Sequence, residues 1–518
     1  MVPHSLTKIR SLLSNIQLED ALLFLNHLLG VVRKDRNDEE LSRLISQAQI
    51  PPQPFIIHFI AKQLLLNASN FGIKKFDWAT YQQMVNLYFE LGDPIVEDPN
   101  WLQTDPTGFL ERFLGAQMPS QRQNMMQEMG IAQAIFSDIA SKTPNTEFHF
   151  STHLRSSLGM DPEVFIKMGF LCSTFKGAQY HHGERSQGTF THDHLARAFA
   201  HHIDISTPEI WNPFFSRVAC TPAQFRIVNE KEKYRIIDER FIQYEFNPLQ
   251  RFPIIKFAKN HHITVDTRLL LHRATLGIFY DMYERLGDEF LQRFGDVFAR
   301  FCGDLLLSVC PSDRIWSEEK WKASTSNKGR MRLGKLGDWA YRGDTYLILF
   351  ECKSLRPSLE LLTYGHQSTT EKVYDRLTAG LLQIIEQNQR IQNGDWSQYS
   401  LHPGSSICVL VTYGQLHSAN GHIIRTQIEN RLRDSGFTIP PFLILSITEL
   451  DSFIRLVELG LPLDAVINSA VEALPSFNVL QSFNLQLTER TVSSYVHKKG
   501  IDILESIVPS HPDKEFEE

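Results

Sequence analysis

The chain has 518 residues, 42% hydrophobic and 21% charged, with a formal net charge of −7. This balance excludes a basic nucleic-acid coat, so any nucleic-acid contact must come from a local patch. No stretch approaches the ~18 apolar residues of a membrane span, so no membrane partner is expected.

A length of this size predicts two to four domains at about 150 residues each. The opening MVPHSLTKIRSLLSNIQ lacks the apolar core and small-residue cleavage site of a secretory signal, which predicts a cytoplasmic address. Cys172, Cys220, Cys302, Cys310, Cys352 and Cys408 are scattered, with no C-x-x-C pair. Such spacing predicts reduced thiols rather than a disulfide framework or a zinc ribbon.

Residues 1–245 are predicted to be mostly helical. Leu13, Ile16, Leu22, Leu23, Leu25 and Leu28 recur at helical spacing, as do the apolar residues of PFIIHFIAKQLLLNAS, YQQMVNLYFELG, TGFLERFLGAQM and AQAIFSDIA. Pro51-Pro52, Gly92-Asp93-Pro94, Asp105-Pro106 and Asp161-Pro162 separate them. No fixed repeat period supports a solenoid. The segment includes a histidine cluster, His181, His182, His192, His194, His201 and His202. It lacks the cysteines and ligand spacing of a structural zinc site, so these read as surface and capping histidines.

A Pro-containing connector, Tyr244–Phe257, opens the second region, predicted over 246–470. Short strand-like pieces lead to a long amphipathic helix, about Thr275 to Leu307, with the stripe Phe290, Phe294, Val297, Phe301 and Leu305. RIWSEEKWK reads as a strand, and GDWAYRGDTYLILFECKSL as a hairpin. A helix from about Thr370 to Gln392 follows, then buried strands within Ser406–Gly414 and Pro440–Leu450. The predicted order is helix, three strands, helix, strand, with one further strand. Residues 471–518 form a weakly patterned extension ending in DKEFEE.

Gly343-Asp344 is a two-residue hairpin signal. With that turn, Arg342 pairs with Thr345 and Asp338 falls opposite Leu349, diagonal to Glu351 at about 7–8 Å. Leu347, Leu349, Glu351 and Lys353 then share one face with Asp338, and Cys352 points to the other as a packed small hydrophobe. Buried charge at a strand end must be paired, bound to metal or used. Two inward carboxylates suit a hard divalent cation, and a lysine two residues on suits a water or a phosphate.

Asp338 followed by Glu351-Cys352-Lys353 on the next strand resembles the D…(D/E)-x-K signature of the PD-(D/E)XK nuclease superfamily. The resemblance covers about Tyr280 to Val457. It implies an α/β, restriction-endonuclease-like mixed-sheet core (αβββαβ) behind the helical N-terminal region. It also implies Mg²⁺, with Mn²⁺ as the alternative, held by Asp338 and Glu351, and Lys353 as catalytic lysine. Gly337 stands where the signature has proline. Family members often add a helical glutamate, carried here onto Glu284, with Glu289 and Asp296 pointing further away. A helical glutamine is carried onto Gln383, with Gln387 beside it. The implied function is a Mg²⁺-dependent endonuclease cutting DNA ahead of RNA, in bacterial or phage-encoded defence. The helical region would then recognise a target, a partner or an invader's protein. An RNA-cleaving enzyme and a catalytically retired nucleic-acid-binding scaffold remain the alternatives.

The other (D/E)-x-K match, Glu318-Glu319-Lys320, sits in a polar run and reads as solvated charge. Lys320, Lys322, Lys328, Arg330, Arg332 and Lys335 form an acid-free basic stretch, flanked by Trp316, Trp321 and Trp339. It is the expected contact to a phosphate backbone.

Overall fold

Apolar residues at helical spacing make the N-terminal region helical, and polar side chains punctuate it. Helices span His4–Leu13, Leu18–Val32, Glu39–Gln47, Pro54–Asn67 and Trp78–Glu90. Gln17, Asp38 and Asp77 cap three of them, each accepting a backbone N–H from the first turn. The computed structural model describes residues 3–92, 124–142, 149–179, 185–187, 189–191, 193–195, 207–231, 239–258, 261–323, 336–356, 367–394, 405–416, 419–476, 478–480, 483 and 494–507. The helix expected within 107–118 lies outside them. The one expected in AQAIFSDIA continues Met125–Ala132 and winds as a π-helix over Gln133–Ile139.

The first region is not helical alone. It contributes β1 (Lys176–Gln179), β2 (Arg185–Gln187), β3 (Thr189–Thr191) and β4 (Ala219–Cys220). β5 (Ile254–Lys256) and β6 (His261–Thr264) complete a six-stranded mixed sheet in the order β2-β1-β3-β6-β5-β4. The predicted boundary at 245 therefore runs through a sheet. Strands this short reveal their partners only through long-range pairing, here β6 with β3 and β5 with β4.

The second sheet holds β7 (Ile315–Ser317), β8 (Trp339–Arg342), β9 (Leu347–Lys353), β10 (Ser406–Thr412) and β11 (Phe442–Ser446), in the order β11-β10-β9-β8-β7. β7, β8 and β9 form an antiparallel meander, and β9, β10 and β11 run parallel. Helices Asp288–Val309 and Gln367–Gln392 precede β7 and β10, so the predicted element order is present. A short helix, Glu318–Ala323, replaces the end of the expected strand in RIWSEEKWK.

Alternation along the strands places each sheet between two apolar layers. On β5, Ile255 joins the core of the N-terminal helices, and Ile254 joins a central core. That central core reaches the second sheet through Ile348, Phe350 and Cys352, and includes all five predicted stripe residues of Asp288–Val309. Each buried phenylalanine there is worth about 1.5–3 kcal/mol. Leu347 and Leu349 face the other way, onto helix Gln367–Gln392. Among the described residues no helix is long and apolar enough to cross a membrane.

Candidate active site

β9 is buried along nearly its whole length and ends in the charged pair Glu351 and Lys353. The register of its hairpin differs from the predicted one. Arg342 pairs with Leu347, which leaves Gly343 to Tyr346 as a four-residue loop. A tertiary contact holds the loop: Asp464 Oδ2 accepts the N–H groups of Thr345 at 2.9 Å and Tyr346 at 3.4 Å. A Cβ on residue 343 would lie 2.4 Å from that carboxylate, so any other residue there must displace the Asp464 side chain. Four is even, like two, so side-chain parity survives. The shift moves Asp338 closer to its partner. Trp339 pairs with Phe350, and one step further along that register Asp338 meets Glu351 itself.

Asp338 lies in the bend before β8, and its Oδ2 accepts the Cys352 N–H at 2.7 Å. Glu351 is 2% exposed. One of its oxygens binds the Lys353 ammonium, and the other accepts from Gln383 Nε2 at 2.9 Å. Gln383 also donates to the Leu336 carbonyl at 2.5 Å, and its Oε1 lies 3.4 Å from Lys353 Nζ. One turn along the helix, Gln387 Oε1 accepts the Gly337 N–H at 2.7 Å. Helix Gln367–Gln392 thus supplies two glutamines, four residues apart on one face, that hold the strand entering Asp338.

Burial raises the Asp338 carboxyl to about 6, opposed by the Cys352 N–H and Lys353 and reinforced by Glu318 and Asp296. Burial raises Glu351 to about 8, with repulsion from Asp338 next and Lys353 opposing. Carboxylates so displaced cluster at functional sites and also occur in structural ion-pair networks. Burial also pushes the Cys352 thiol well above its usual range, so it stays a protonated core residue.

The helix between Thr275 and Leu307 is broken at Gly287 into Ile278–Leu286 and Asp288–Val309. Glu284, expected as a metal ligand, is on the first piece and forks onto Arg251 at 2.8 and 2.9 Å on the surface. Asp296, expected to point away, is the acid on the second piece that acts on Asp338. Glu318, read as solvated charge, acts on both carboxylates, and its N–H donates to the Asp338 carbonyl at 3.0 Å. The β7–β8 pairing, Ser317 opposite Trp339, carries this information, and it needs a register the sequence leaves open.

The basic stretch is placed only in part. Lys320 Nζ donates to the carbonyls of Ile315 at 3.0 Å and Ser312 at 3.3 Å, and Lys322 pairs with Glu318 at 2.7 Å. Lys328, Arg330, Arg332 and Lys335 lie outside the described residues. Trp316 and Trp321 pack edge to face in the core, and Trp339 donates to the Ala299 carbonyl at 2.8 Å. Of the histidine cluster, only His194 is described, and it caps a turn with Thr191.

Among the described residues no three His, Cys, Asp or Glu side chains form a metal-holding group. The fit to a divalent ion rests on Asp338 and Glu351 alone. They are hard oxygen donors in a negative field that one lysine leaves uncompensated. Mg²⁺ suits such a pair, because it keeps several waters and takes one or two carboxylates plus phosphate oxygens. No protein-family model, curated protein or solved structure matches this chain.

Proposed function

We propose that this chain is a Mg²⁺-dependent nuclease of the PD-(D/E)XK kind, hydrolysing phosphodiester bonds in DNA ahead of RNA. The observation that carries the reading is the convergence of Asp338, Glu351, Lys353 and Gln383 at the end of β9, with both carboxylates raised by burial and repulsion. The order helix, three strands, helix, strand around a mixed sheet supports a restriction-endonuclease-like core.

Asp338 and Glu351 would hold the metal, which when bound activates water and neutralises charge at phosphorus. Gln383 fixes one Glu351 oxygen and ties it to the strand leading into Asp338. Lys353, 36% exposed, is the reachable cation. Its ammonium can donate to the attacking water or to a phosphate oxygen as charge develops there.

The test is cleavage of plasmid DNA and of tRNA by wild type and Lys353→Ala, with and without EDTA. EDTA is expected to abolish cutting, and the substitution to slow it by about 10²–10⁴-fold. Cleavage untouched by both removes the proposal, and faster cutting of tRNA makes the substrate RNA. One observation favours a retired scaffold instead: Lys353 already closes on Glu351. Calorimetric titration with Mg²⁺ or Mn²⁺ that is the same for wild type and Glu351→Ala would select it.

A further inference from the structure

The least explained surface lies on the loop Ser69–Lys75, between helices Pro54–Asn67 and Trp78–Glu90. Phe71 is 92% exposed and Ile73 is 86% exposed, the two most exposed large apolar side chains described. The loop that carries them is ordered by its backbone. The Gln17 N–H donates to the Lys74 carbonyl at 2.9 Å, and the Leu18 N–H to the Ser69 carbonyl at 3.1 Å. The Lys74 N–H donates in turn to the Asn15 carbonyl at 3.0 Å. At Gly72 a Cβ would stand 2.2 Å from the Ile16 carbonyl oxygen, so the chain between the two side chains is pressed onto its neighbour. Phe76, directly after the loop, is buried as its anchor.

Lys74 and Lys75 follow the apolar pair, and both are exposed. The nearest acid in sequence, Asp77, is engaged first as a helix cap, accepting from the Thr80 N–H and hydroxyl, with Lys74 a lesser charge acting on it. The result is a convex tip of two apolar side chains with two cations at its base. A contact this small and protruding favours a bilayer over a folded protein as the occupant. Stable protein interfaces bury about 800 Å² on each side, far more than two side chains offer. A bilayer needs no surrounding complementarity: its interior accepts protruding apolar groups and its anionic headgroups attract lysine.

We propose that the Phe71-Gly72-Ile73 tip inserts into the surface of an anionic lipid bilayer, with Lys74 and Lys75 against the headgroups. This is a peripheral contact and not a span, and it is independent of the chemistry at Glu351. A pre-ordered loop loses little conformational entropy on docking, which suits so small an anchor.

The test uses the full chain and vesicles of phosphatidylcholine with and without phosphatidylserine. All six native cysteines are buried, so Asn70→Cys takes an environment-sensitive dye selectively beside the tip. Partition onto serine-lipid vesicles is expected, with a blue shift of the dye and a loss of binding at high salt. Phe71→Ser/Ile73→Ser is expected to weaken partition at least about tenfold, and Lys74→Glu/Lys75→Glu to remove the preference for anionic lipid. Equal partition of wild type and Phe71→Ser/Ile73→Ser overturns the proposal, as does no binding to anionic vesicles. Self-association or DNA binding that depends on Phe71 without lipid binding also overturns it. Sedimentation and DNA titration of the same proteins read those outcomes.

Discussion

At the scale of single residues, Glu351 is where the proposed site and a structural ion pair lead to opposite expectations. Its folded carboxyl is raised to about 8 and that of Asp338 to about 6, against ordinary values of 4.5 and 3.8. For a raised carboxyl the folded state holds the proton more tightly than the unfolded state. The metal-free protein is therefore predicted to lose stability as pH rises from about 4 to about 8. Glu351→Gln removes the buried charge. It should raise the metal-free melting temperature at pH 8, gaining a few kcal/mol at about 1.4 kcal/mol per pKa unit, and flatten the pH dependence. Thermal melts at pH 5 and pH 8 check this. A structural ion pair behaves in the opposite way, since breaking it costs about 3–5 kcal/mol.

At the scale of elements, the β8–β9 hairpin is held by a carboxylate from a distant helix. Asp464 is buried, at the start of Leu463–Glu472, and accepts from the loop at Thr345 and Tyr346. Asp464→Ala leaves those N–H groups without that acceptor and should cost about 1–3 kcal/mol, read by chemical denaturation. The cleavage proposed above should fall by more than the lost stability accounts for, because the same register sets Asp338 beside Glu351. Unchanged activity would mean that the hairpin keeps its register alone. Ser446→Ala is the matching control. It removes a capping box with Glu449 at the end of β11, worth about 1 kcal/mol, and should leave the proposed cleavage intact.

At the scale of the whole molecule, one apolar core runs from Met129 to Ile507 and includes the face of the second sheet behind the site. Helix Tyr495–Ile507, in the predicted weakly patterned extension, closes it by lying across Met125–Ala132. At Gly130 a Cβ would come within 1.9 Å of the Val496 carbonyl oxygen, so the backbones touch there. Gly130→Leu must push the helices apart and should cost about 1–3 kcal/mol or more. Because the core is continuous, the loss is predicted to lower one shared unfolding transition in far-UV circular dichroism and tryptophan fluorescence. Release of the C-terminal helix alone, seen as early proteolysis with an unchanged transition, would contradict this.

Much of the candidate site was legible in the sequence because its signals are local. A continuous apolar run with a terminal Glu-x-Lys marks a central strand, covered on both faces, with charge at its end. The amphipathic stripe on Asp288–Val309 and the glutamines at positions 383 and 387 are equally local, since helical spacing fixes which side chains share a face. The tertiary structure alone decided the four-residue hairpin loop, the pairing of β5 and β6 into the first sheet, the surface ion pair of Glu284, and the approach of Glu318 and Asp296. Each depends on a partner far along the chain: Asp464, β3 and β4, Arg251, the β7–β8 register for Glu318, or the packing of helix Asp288–Val309 on β9 for Asp296. Period and composition state which groups a segment must bury or pair, and long-range contacts choose the partner.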